Sequence, residues 1–234
     1  MTIPQLIRAD DLDRLPHIIT GSGIESERPV LTVVGGAAGM TDDAGRGIAE
    51  IVSRWLVPLL ERLRVTVVDG GTHAGIMRLL GEARTEAHAS FPLIGVAAAG
   101  TVALPDVVSA VPDAAPPDPG HTHLVLVPGH RWGDESPWLS AVASVIAGTR
   151  PSATLLVNGG SLTIADAGHS LDVSRPILVL EGSGRVADRI AEARRLHNTA
   201  PDILPIVESP LVDVISIAKP ELVVANIQRL LGAK

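Results

Sequence analysis

The feature that most constrains the fold is an order of strand, glycine turn and helix that recurs four times along the chain. In the clearest copy, the β-branched run Val65–Val68 ends at the turn Asp69–His73, which holds two glycines, and an apolar-periodic helix follows. Glycine lets the backbone come close to a ligand, and the free N–H groups at a helix start attract an anion. This order is typical of α/β proteins that bind phosphate-bearing ligands.

Apolar runs alternate with helical patterns through most of the chain, which indicates βαβ units and a parallel sheet. The aliphatic residues supply nearly all of the hydrophobic content, with no Tyr and one Phe. That bias suits strands that are buried on both faces. The predicted strands are Val30–Val34, Val65–Val68, Leu93–Ala97, Leu124–Val127, Ala153–Val157, Ile177–Leu180 and a weaker one at Ile203–Val207.

The helical patterns have the spacing and the start signals of amphipathic helices. Pro58 predicts a kink or a break near Val57. The proline-rich stretch Thr101–His121 predicts a long ordered loop, and one domain over residues 1–234 is expected. The predicted helices are Asp42–Leu63, Ala74–Ala89, Ser136–Ala147, a short one near Ile164–Ser170, Gly184–Leu196 and Pro220–Leu231.

Composition excludes several classes of function. The net charge is −7 with no basic run, so the phosphate-neutralising patch of a nucleic-acid binder is missing. Cysteine is absent, which excludes disulfides and thiolate chemistry. No apolar run approaches the roughly 20 residues that span a bilayer, and the acidic start Met1–Leu15 is no signal peptide. We therefore expect a soluble, cytoplasmic protein without membrane insertion.

The four glycine turns are expected to meet, because the carboxyl ends of parallel strands lie along one edge of a sheet. Open α/β sheets bind ligands at that edge, at a topological switch point. None of the turns has the spacing of a dinucleotide fingerprint or a P-loop, which argues against nicotinamide oxidoreductases and ATPases. The turns are Gly35–Gly39, Gly70–His73, Asn158–Ser161 and Glu181–Arg185.

Arg185 is the side chain that most directly suggests a ligand. A lone cation in the first turn of a helix is mildly unfavourable against the helix dipole, so a ligand anion is a better partner. The alternative is a salt bridge with Asp188 or Glu181. The three histidines at 121, 123 and 130 could form a metal site, but hydrogen bonding to loop backbone is the favoured alternative, and no metal is predicted.

Taken together, several segments resemble the LSDAT group of the SLOG superfamily, which is best known as the N-terminal cytoplasmic domain of melastatin-type TRP channels and has stand-alone prokaryotic members. The matching segments appear in the family order and cover roughly residues 30 to 190. The second and last are the most specific. The segments are Val34–Ala37, Gly70–Arg78 with Gly81–Ala83, Ile94–Ala97, Asp118–Val127 and Val179–Asp188.

The resemblance implies a doubly wound, Rossmann-like α/β fold that recognises nucleotide-derived ligands; some channel members bind ADP-ribose in the glycine-rich cleft. It also implies that Trp132 stands where an aromatic ring could stack on adenine. No cofactor is required, and the ligand is a small-molecule nucleotide. Carried over by position, the phosphate-facing residues are Gly35, Gly36, Ala37, Gly71, Thr72 and His73, and Ser183, Gly184 and Arg185 match the segment whose arginine contacts the ligand. Gly159 and Gly160 of the third glycine turn are further candidates for ligand binding.

The chain also departs from the pattern of the family that it resembles. Ligand-binding channels have an arginine after a proline and a leucine, whereas this chain reads Pro137-Trp138-Leu139. Related phosphoribohydrolases carry G-G-x-G-T-x-x-E with a catalytic glutamate. The equivalent segment here begins at Gly159, lacks the second glycine pair and shortens the acid to Asp166. This argues against efficient hydrolysis by that route.

The sequence therefore predicts a binding module that senses ADP-ribose or a related NAD-derived nucleotide, alone, as a homo-oligomer or with an effector partner. One alternative is an enzyme, a nucleotide hydrolase or phosphoribohydrolase that cleaves an N-glycosidic bond, with Asp166 and His73 as candidate acid/base groups. Another is a structural subunit with a vestigial pocket. The degenerate motif favours binding over catalysis.

Overall fold

The centre of the fold is a parallel eight-stranded sheet. The computed structural model describes residues 4–36, 41–104, 109, 111–196 and 200–232. Within them the strand order is β1-β5-β4-β3-β2-β6-β7-β8, and each neighbouring pair runs in parallel, as predicted. The strands are β1 Gln5–Arg8, β2 Val30–Gly35, β3 Thr66–Asp69, β4 Leu93–Ala98, β5 His123–Val127, β6 Ser152–Val157, β7 Ile177–Glu181 and β8 Val212–Ser216.

Helices cover both faces of this sheet, which makes the fold a Rossmann-like α/β sandwich of three layers. A π-helical segment, Ile51–Leu56, joins the second helix to the third. The helices are α1 Leu15–Gly21, α2 Asp42–Glu50, α3 Val57–Leu63, α4 Gly75–Glu86, α5 Ser136–Ala147, α6 Ser161–Asp172, α7 Arg185–Leu196, α8 Leu204–Glu208 and α9 Pro220–Leu231.

The core is divided into two clusters by the sheet, because successive side chains of a strand point to opposite faces. On β2, Val30 and Val34 pack in the cluster that includes α1, α5, α6, α7 and α8. Leu31 and Val33 pack in the cluster that includes α2, the π-helical segment, α3, α4 and α9. The strands are thus buried on both sides, as their aliphatic composition predicts.

The break expected near Pro58 is confirmed, and it takes the form of the π-helical segment. Proline has no N–H to donate, and its ring clashes with the carbonyl four residues earlier in an α-helix. The wider π turn that ends at Leu56 accommodates both effects before α3 begins at Val57.

The predicted strand at Ile203–Val207 is wrong. Residues Leu204–Glu208 form helix α8, in which Pro205 occupies the first turn. Proline is favoured there and is disfavoured within a sheet, because it cannot donate to the ladder. The last strand is instead Val212–Ser216. Strand β1, which pairs with β5 and buries only Ile7, was not predicted, nor was helix α1.

The loop predicted at Thr101–His121 is irregular but tied to the sheet in its described part. Val102 forms an isolated bridge with Ala115, and Pro117 forms one with Thr72 of the second glycine turn. Residues 105–108 and 110 lie outside the described residues. The second half of the loop therefore lies against the turn that follows β3.

A topological switch point lies between β2 and β6. From β2 the chain builds outwards through β3, β4 and β5, and then returns to add β6 on the other side of β2. The connections that leave β2 and β6 therefore diverge to opposite faces of the sheet. Such a divergence opens a crevice at the carboxyl edge of the strands.

Arg175 connects helix α5 to the sheet from inside the core. The residue is 2% exposed, and its guanidinium donates to the Ser140 carbonyl at 3.1 Å and to Ser144 Oγ at 2.9 Å. Its Nε also donates to Ser152 Oγ at the start of β6, at 3.3 Å. Burial lowers the pKa of Arg175 to about 10. These bonds fix the position of α5, which borders the crevice, relative to the start of β6.

We expect Arg175→Ala to lower the free energy of unfolding by about 3 kcal/mol, since it leaves a cavity and removes several buried hydrogen bonds. Arg54→Ala is the control, because Arg54 forms an exposed pair with Glu50 and should change the free energy by less than about 0.5 kcal/mol. Urea unfolding followed by circular dichroism measures both. Equal stability of the two variants would contradict the role given to Arg175.

Candidate functional site

A cavity of about 500 Å³ opens at the switch point. Its size lies within the range of about 300–1,000 Å³ that is usual for small-molecule sites. It is bordered by the end of β2, by the turn after β3 and by the first turns of α4, α5, α6 and α7. The lining residues are Val33, Val34, Gly35, Gly36, Gly70, Thr72, Ala74, Met77, Ala97, Asp113, Ala115, Trp132, Glu135, Leu139, Gly160, Ser161, Leu162, Thr163, Asp166 and Arg185.

The first and third glycine turns touch backbone to backbone. A Cβ on Gly35 would lie 2.1 Å from the carbonyl oxygen of Val157, and one on Gly36 would lie 3.4 Å from the Cα of Gly159. Asn158 then donates from Nδ2 to the Gly36 carbonyl at 3.1 Å. Glycine is therefore required at position 35 by close approach, and the two turns form one continuous wall of the cavity.

The fourth turn is built from unusual backbone conformations. Gly182 and Gly184 have φ of 89° and 104°, and Arg185 has φ of 47°, in the left-handed region. That region costs a non-glycine residue about 1–2 kcal/mol. Strain of this kind persists where the surroundings over-determine it, and it clusters at ligand sites. The turn therefore holds Arg185 in a position that ordinary helix geometry would not give.

The first N–H groups of helix α7 donate hydrogen bonds to backbone carbonyls of the protein. Val186 N and Ala187 N donate to the carbonyls of Gly159 and Asn158, at 3.4 and 3.1 Å. These two groups are therefore engaged with the third turn rather than open to a ligand. The first turn of α6 is placed differently, because Ser161, Leu162 and Thr163 all line the cavity.

The guanidinium of Arg185 lies at the junction of the first and third turns. A Cβ on Gly160 would be 3.1 Å from Arg185 Nη2, and one on Gly36 would be 3.8 Å from Nη1. The two acids named as possible partners of Arg185 have contacts of their own. Glu181 pairs with Arg195 at 2.7 Å, and Asp188 accepts from Gly182 N at 2.6 Å. Arg185 thus brings a positive charge to the glycine wall.

Two carboxyl groups in the lining have raised pKa values. Burial raises the pKa of Asp166 to about 6, against the opposing effects of Ser136 and His169. Burial also raises the pKa of Glu135, and the charges of Asp166 and Asp134 add to that rise. Glu135 accepts from Gly133 N at 3.0 Å at the start of α5. Part of the lining is therefore acidic and easily protonated.

Trp132 lines the cavity from the loop between β5 and α5. Its indole Nε1 donates to Asp113 Oδ2 at 3.1 Å, which joins this loop to the long loop 101–121. Asp113 and Ala115 of that long loop also line the cavity. The aromatic ring is thus held at the site by a polar contact at its edge.

The structure places some of the sequence-predicted site residues in the lining of the cavity and others outside it. Seven line the cavity: Gly35, Gly36, Thr72, Trp132, Gly160, Arg185 and Asp166. Five others are not among its lining residues: Gly71, His73, Gly159, Ser183 and Gly184. Ala37 lies outside the described residues.

Two of the residues outside the lining have clear structural contacts. Ser183 is fully buried, and its Oγ donates to the Leu180 carbonyl at 2.6 Å while accepting from Asn158 N at 2.7 Å. It therefore connects the third turn to the fourth. His73 instead binds Asp118 through Nδ1, at 2.6 Å, and borders a separate shallow pocket beside α4.

Sequence reasoning did not single out Glu135, Ser161 or Thr163 as site residues, yet all three line the cavity. The available signal was position: α5 and α6 both start at the carboxyl edge of the sheet, so polar residues in their first turns face the crevice. Thr163 also contributes to the local structure, since its Oγ1 accepts from Gly160 N at 3.3 Å.

The described residues contain no group of three or more His, Cys, Asp and Glu side chains that is arranged to hold a metal ion. His121 lies between Asp69 and Asp118, and His123 bonds to the Thr122 hydroxyl at 2.8 Å. Among the described helices, none combines the length and the apolar character that a membrane crossing needs.

The fold and the crevice define a Rossmann-like α/β domain with a glycine-lined cavity at its switch point. The family described as SLOG in TRPM, prokaryote, matches residues 28–225, so the chain belongs to this family. Membership in this family suggests a role related to binding nucleotide ligands.

Curated relatives support the same relationship at a distance. The chain is 24% identical over 209 residues to transient receptor potential cation channel subfamily M member 2 of Mus musculus, which covers 74% of this chain and 14% of the channel. It is 25% identical over 207 residues to subfamily M member-like 2 of Nematostella vectensis, covering 73% and 13%. The chain thus spans about a seventh of the length of these relatives.

We expect Gly35→Ala to destabilise the protein by more than about 2 kcal/mol, because its Cβ would overlap the Val157 carbonyl oxygen. Gly168→Ala is the matched control: it lies within α6 with nothing within 4 Å of the new Cβ and should stabilise by about 0.5–1 kcal/mol. Thermal unfolding distinguishes the two. A neutral Gly35→Ala would show that the two turns are farther apart than described.

We expect Asp166→Asn to stabilise the protein above pH 6 by about 2 kcal/mol. The folded protein holds the pKa of Asp166 at about 6, above its ordinary value of 3.8, so ionisation of this group costs stability as pH rises from about 4 to 6. The gain should disappear below about pH 3, where the carboxyl is protonated in both the folded and the unfolded state. Unfolding of wild type and variant at about pH 3, 6 and 7.5 tests this, and a constant difference would contradict it.

Proposed function

We propose that the cavity binds a nucleotide derivative of the ADP-ribose class and that the protein acts as a sensor of this ligand. The observation that carries the proposal is the position of Arg185. Its guanidinium lies against Gly36 and Gly160, where two glycine turns expose backbone at the carboxyl edge of a parallel sheet. A phosphate group fits this combination of one cation and close backbone approach.

The charge of the lining supports a ligand with a small anionic part and several donor groups. Arg185 is accompanied by three carboxyl residues, Asp113, Glu135 and Asp166. Carboxylates accept hydrogen bonds from hydroxyl and amino groups but repel additional phosphates. Ribose hydroxyls and the amino group of a purine are donors of this kind. A nucleoside triphosphate fits this lining poorly, because the carboxylates would repel its additional phosphates.

Trp132 supplies a flat apolar surface in the same cavity. Purine rings stack on aromatic side chains, typically with about 1–3 kcal/mol per base. Family membership supports a nucleotide-related ligand, and the resemblance to ligand-binding channel domains supports ADP-ribose in particular. The chain has Leu139 where an arginine of those channels is expected, so we expect weaker phosphate binding than in the channels.

We expect ADP-ribose to raise the melting temperature of the wild-type protein and not that of Arg185→Ala. At a ligand concentration 100-fold above the dissociation constant, the stabilisation is about 2.7 kcal/mol. The screen includes NAD, AMP, ATP and cyclic nucleotides. Arg189→Ala is the control, because this arginine lies on the same helix and pairs with Asp202 at 2.9 Å.

A shift for one nucleotide that is retained in Arg189→Ala and lost in Arg185→Ala supports the proposal. If none of these nucleotides raises the melting temperature of the wild type, the binding function is rejected and a scaffold with a vestigial pocket remains. A shift of equal size in both variants would place the ligand elsewhere on the protein.

A second function, cleavage of an N-glycosidic bond, is favoured by one observation. Asp166 lines the cavity on the segment that resembles the phosphoribohydrolase motif, and its pKa of about 6 suits a general acid near neutral pH. His73, the other acid/base candidate, is directed towards Asp118 and does not border this cavity within the described residues.

Chromatography of each nucleotide after incubation tests this second function. An enzyme releases free base or ribose phosphate, and Asp166→Asn should abolish that release. Asp172→Asn is the control, because Asp172 is on the same helix with its side chain 76% exposed. Intact ligand in the presence of a thermal shift leaves binding as the function.

A further inference from the structure

A chain of four polar side chains lies at the second glycine turn, and none of the four is a lining residue of the cavity. Asp69 Oδ1 is 2.8 Å from His121 Nε2, and His121 Nδ1 is 3.1 Å from Asp118 Oδ1. The other oxygen of Asp118 is 2.6 Å from His73 Nδ1. The side chains of His121 and Asp69 are 0% exposed, and that of Asp118 is 1% exposed. None of these contacts was anticipated from the sequence.

The geometry determines the ionisation state of His121. Both of its ring nitrogens face carboxylate oxygens, which only accept hydrogen bonds. A neutral imidazole has a single N–H donor, so both contacts are hydrogen bonds only when the ring is an imidazolium. Burial alone would lower its pKa, but the charges and hydrogen bonds of Asp69 and Asp118 raise it to about 9. His121 is therefore a buried cation between two anions at neutral pH.

The two carboxylates also hold backbone. Asp69 Oδ1 accepts from Gly71 N at 2.7 Å, and Asp118 Oδ1 accepts from Gly120 N at 2.9 Å. In the same region Asp118 N donates to the Gly71 carbonyl at 2.9 Å. The turn after β3 and the end of the long loop are thus fastened to each other through His121 and through backbone.

Close packing leaves this network little freedom. A Cβ on Gly81 of α4 would lie 1.9 Å from Asp118 Oδ1, and one on Gly71 would lie 2.7 Å from the Cα of Gly95. The carboxylate of Asp118 therefore rests directly on the helix backbone. The hydrogen bonds of His121 thus reach the turn through closely packed groups.

We propose that His121 is a positioning residue for the cavity: as an imidazolium it holds Asp69 and Asp118 together and so fixes the second glycine turn, from which Gly70 and Thr72 line the cavity. The effect on ligand affinity rests on the proposed function, whereas the effect on the turn does not. His121 touches no ligand; it acts through the backbone of the turn.

Loss of the proton should therefore loosen the turn. The raised pKa of His121 means that its stabilising contribution is complete below about pH 6.5 and is lost as pH rises through 9. The charged and titratable groups around it are Asp69 and Asp118, with His73 beyond Asp118 and Arg84 of α4, which donates to the Gly120 carbonyl at 3.2 Å. Glu82 and Glu86 border the shallow pocket beside His73.

The first test is a pH titration of the unliganded wild type by carbon-detected NMR between pH 6 and 10. We expect the resonances of Gly70, Gly71 and Thr72 to shift with one midpoint near 9 and to follow the His121 ring. Asp118→Asn removes one flanking anion and should move this midpoint down by at least one pH unit. A turn that does not respond to the titration of His121 would overturn the proposal, whether or not a nucleotide binds.

The second test compares His121→Gln with His123→Gln by calorimetric titration of ADP-ribose at pH 7. His123 bonds to Thr122 and is the matched control. We expect affinity to fall at least tenfold in His121→Gln and to be unchanged in His123→Gln. A folded His121→Gln with wild-type affinity would overturn the effect on the ligand. If His121→Gln does not fold, Asp118→Asn is measured instead. Its affinity for ADP-ribose should fall at least tenfold when the pH is above the lowered titration midpoint of this variant.

Absence of ADP-ribose binding to the wild type would reject the proposed function but not the positioning role. In that case the NMR titration alone decides, because it needs no ligand. The two failures are therefore distinguishable.

Discussion

The contact between the backbones that follow β2 and β6 is the constraint on which the site depends. Gly35 lies so close to the Val157 carbonyl that no side chain fits between them, and Asn158 bonds across to Gly36. Through Gly159 and Asn158 the same junction holds the first N–H groups of α7. This close backbone contact therefore fixes one side of the crevice at the switch point, and Arg185 lies beside it.

The charged residues near this backbone contact are held in surroundings that differ from those of ordinary solvent-exposed residues. Arg185 is held by a turn with left-handed backbone, whereas Glu135 and Asp166 have raised pKa values because burial disfavours their ionised forms. At the second turn, a buried imidazolium compensates two carboxylates. The cavity is thus supported by charged groups at the glycine turns, and the protonation states of those groups are set by the fold.

Most of the architecture is predictable from the sequence because it depends on patterns that are local. Aliphatic runs bounded by glycine turns predict the six central strands, and Pro58 predicts the helix break. The edge elements were harder, since β1 buries one side chain and the apolar run at 203–207 begins a proline-started helix. The turns that build the site were also predictable. The direction of each side chain was not: Ser183 and His73 face protein partners, and Glu135 faces the cavity, because tertiary packing decides these orientations.

The close backbone contacts give the cavity one rigid wall and one adaptable wall. On the glycine side, a Cβ at Gly35 would collide with the Val157 carbonyl, so this part of the wall cannot be reshaped by substitution. Trp132, Leu139 and Leu162 line the cavity through their side chains. A change in the shape of the cavity, by evolution or by design, is therefore easier at residues of α5, α6 and the loop before α5 than at the backbone contact of Gly35.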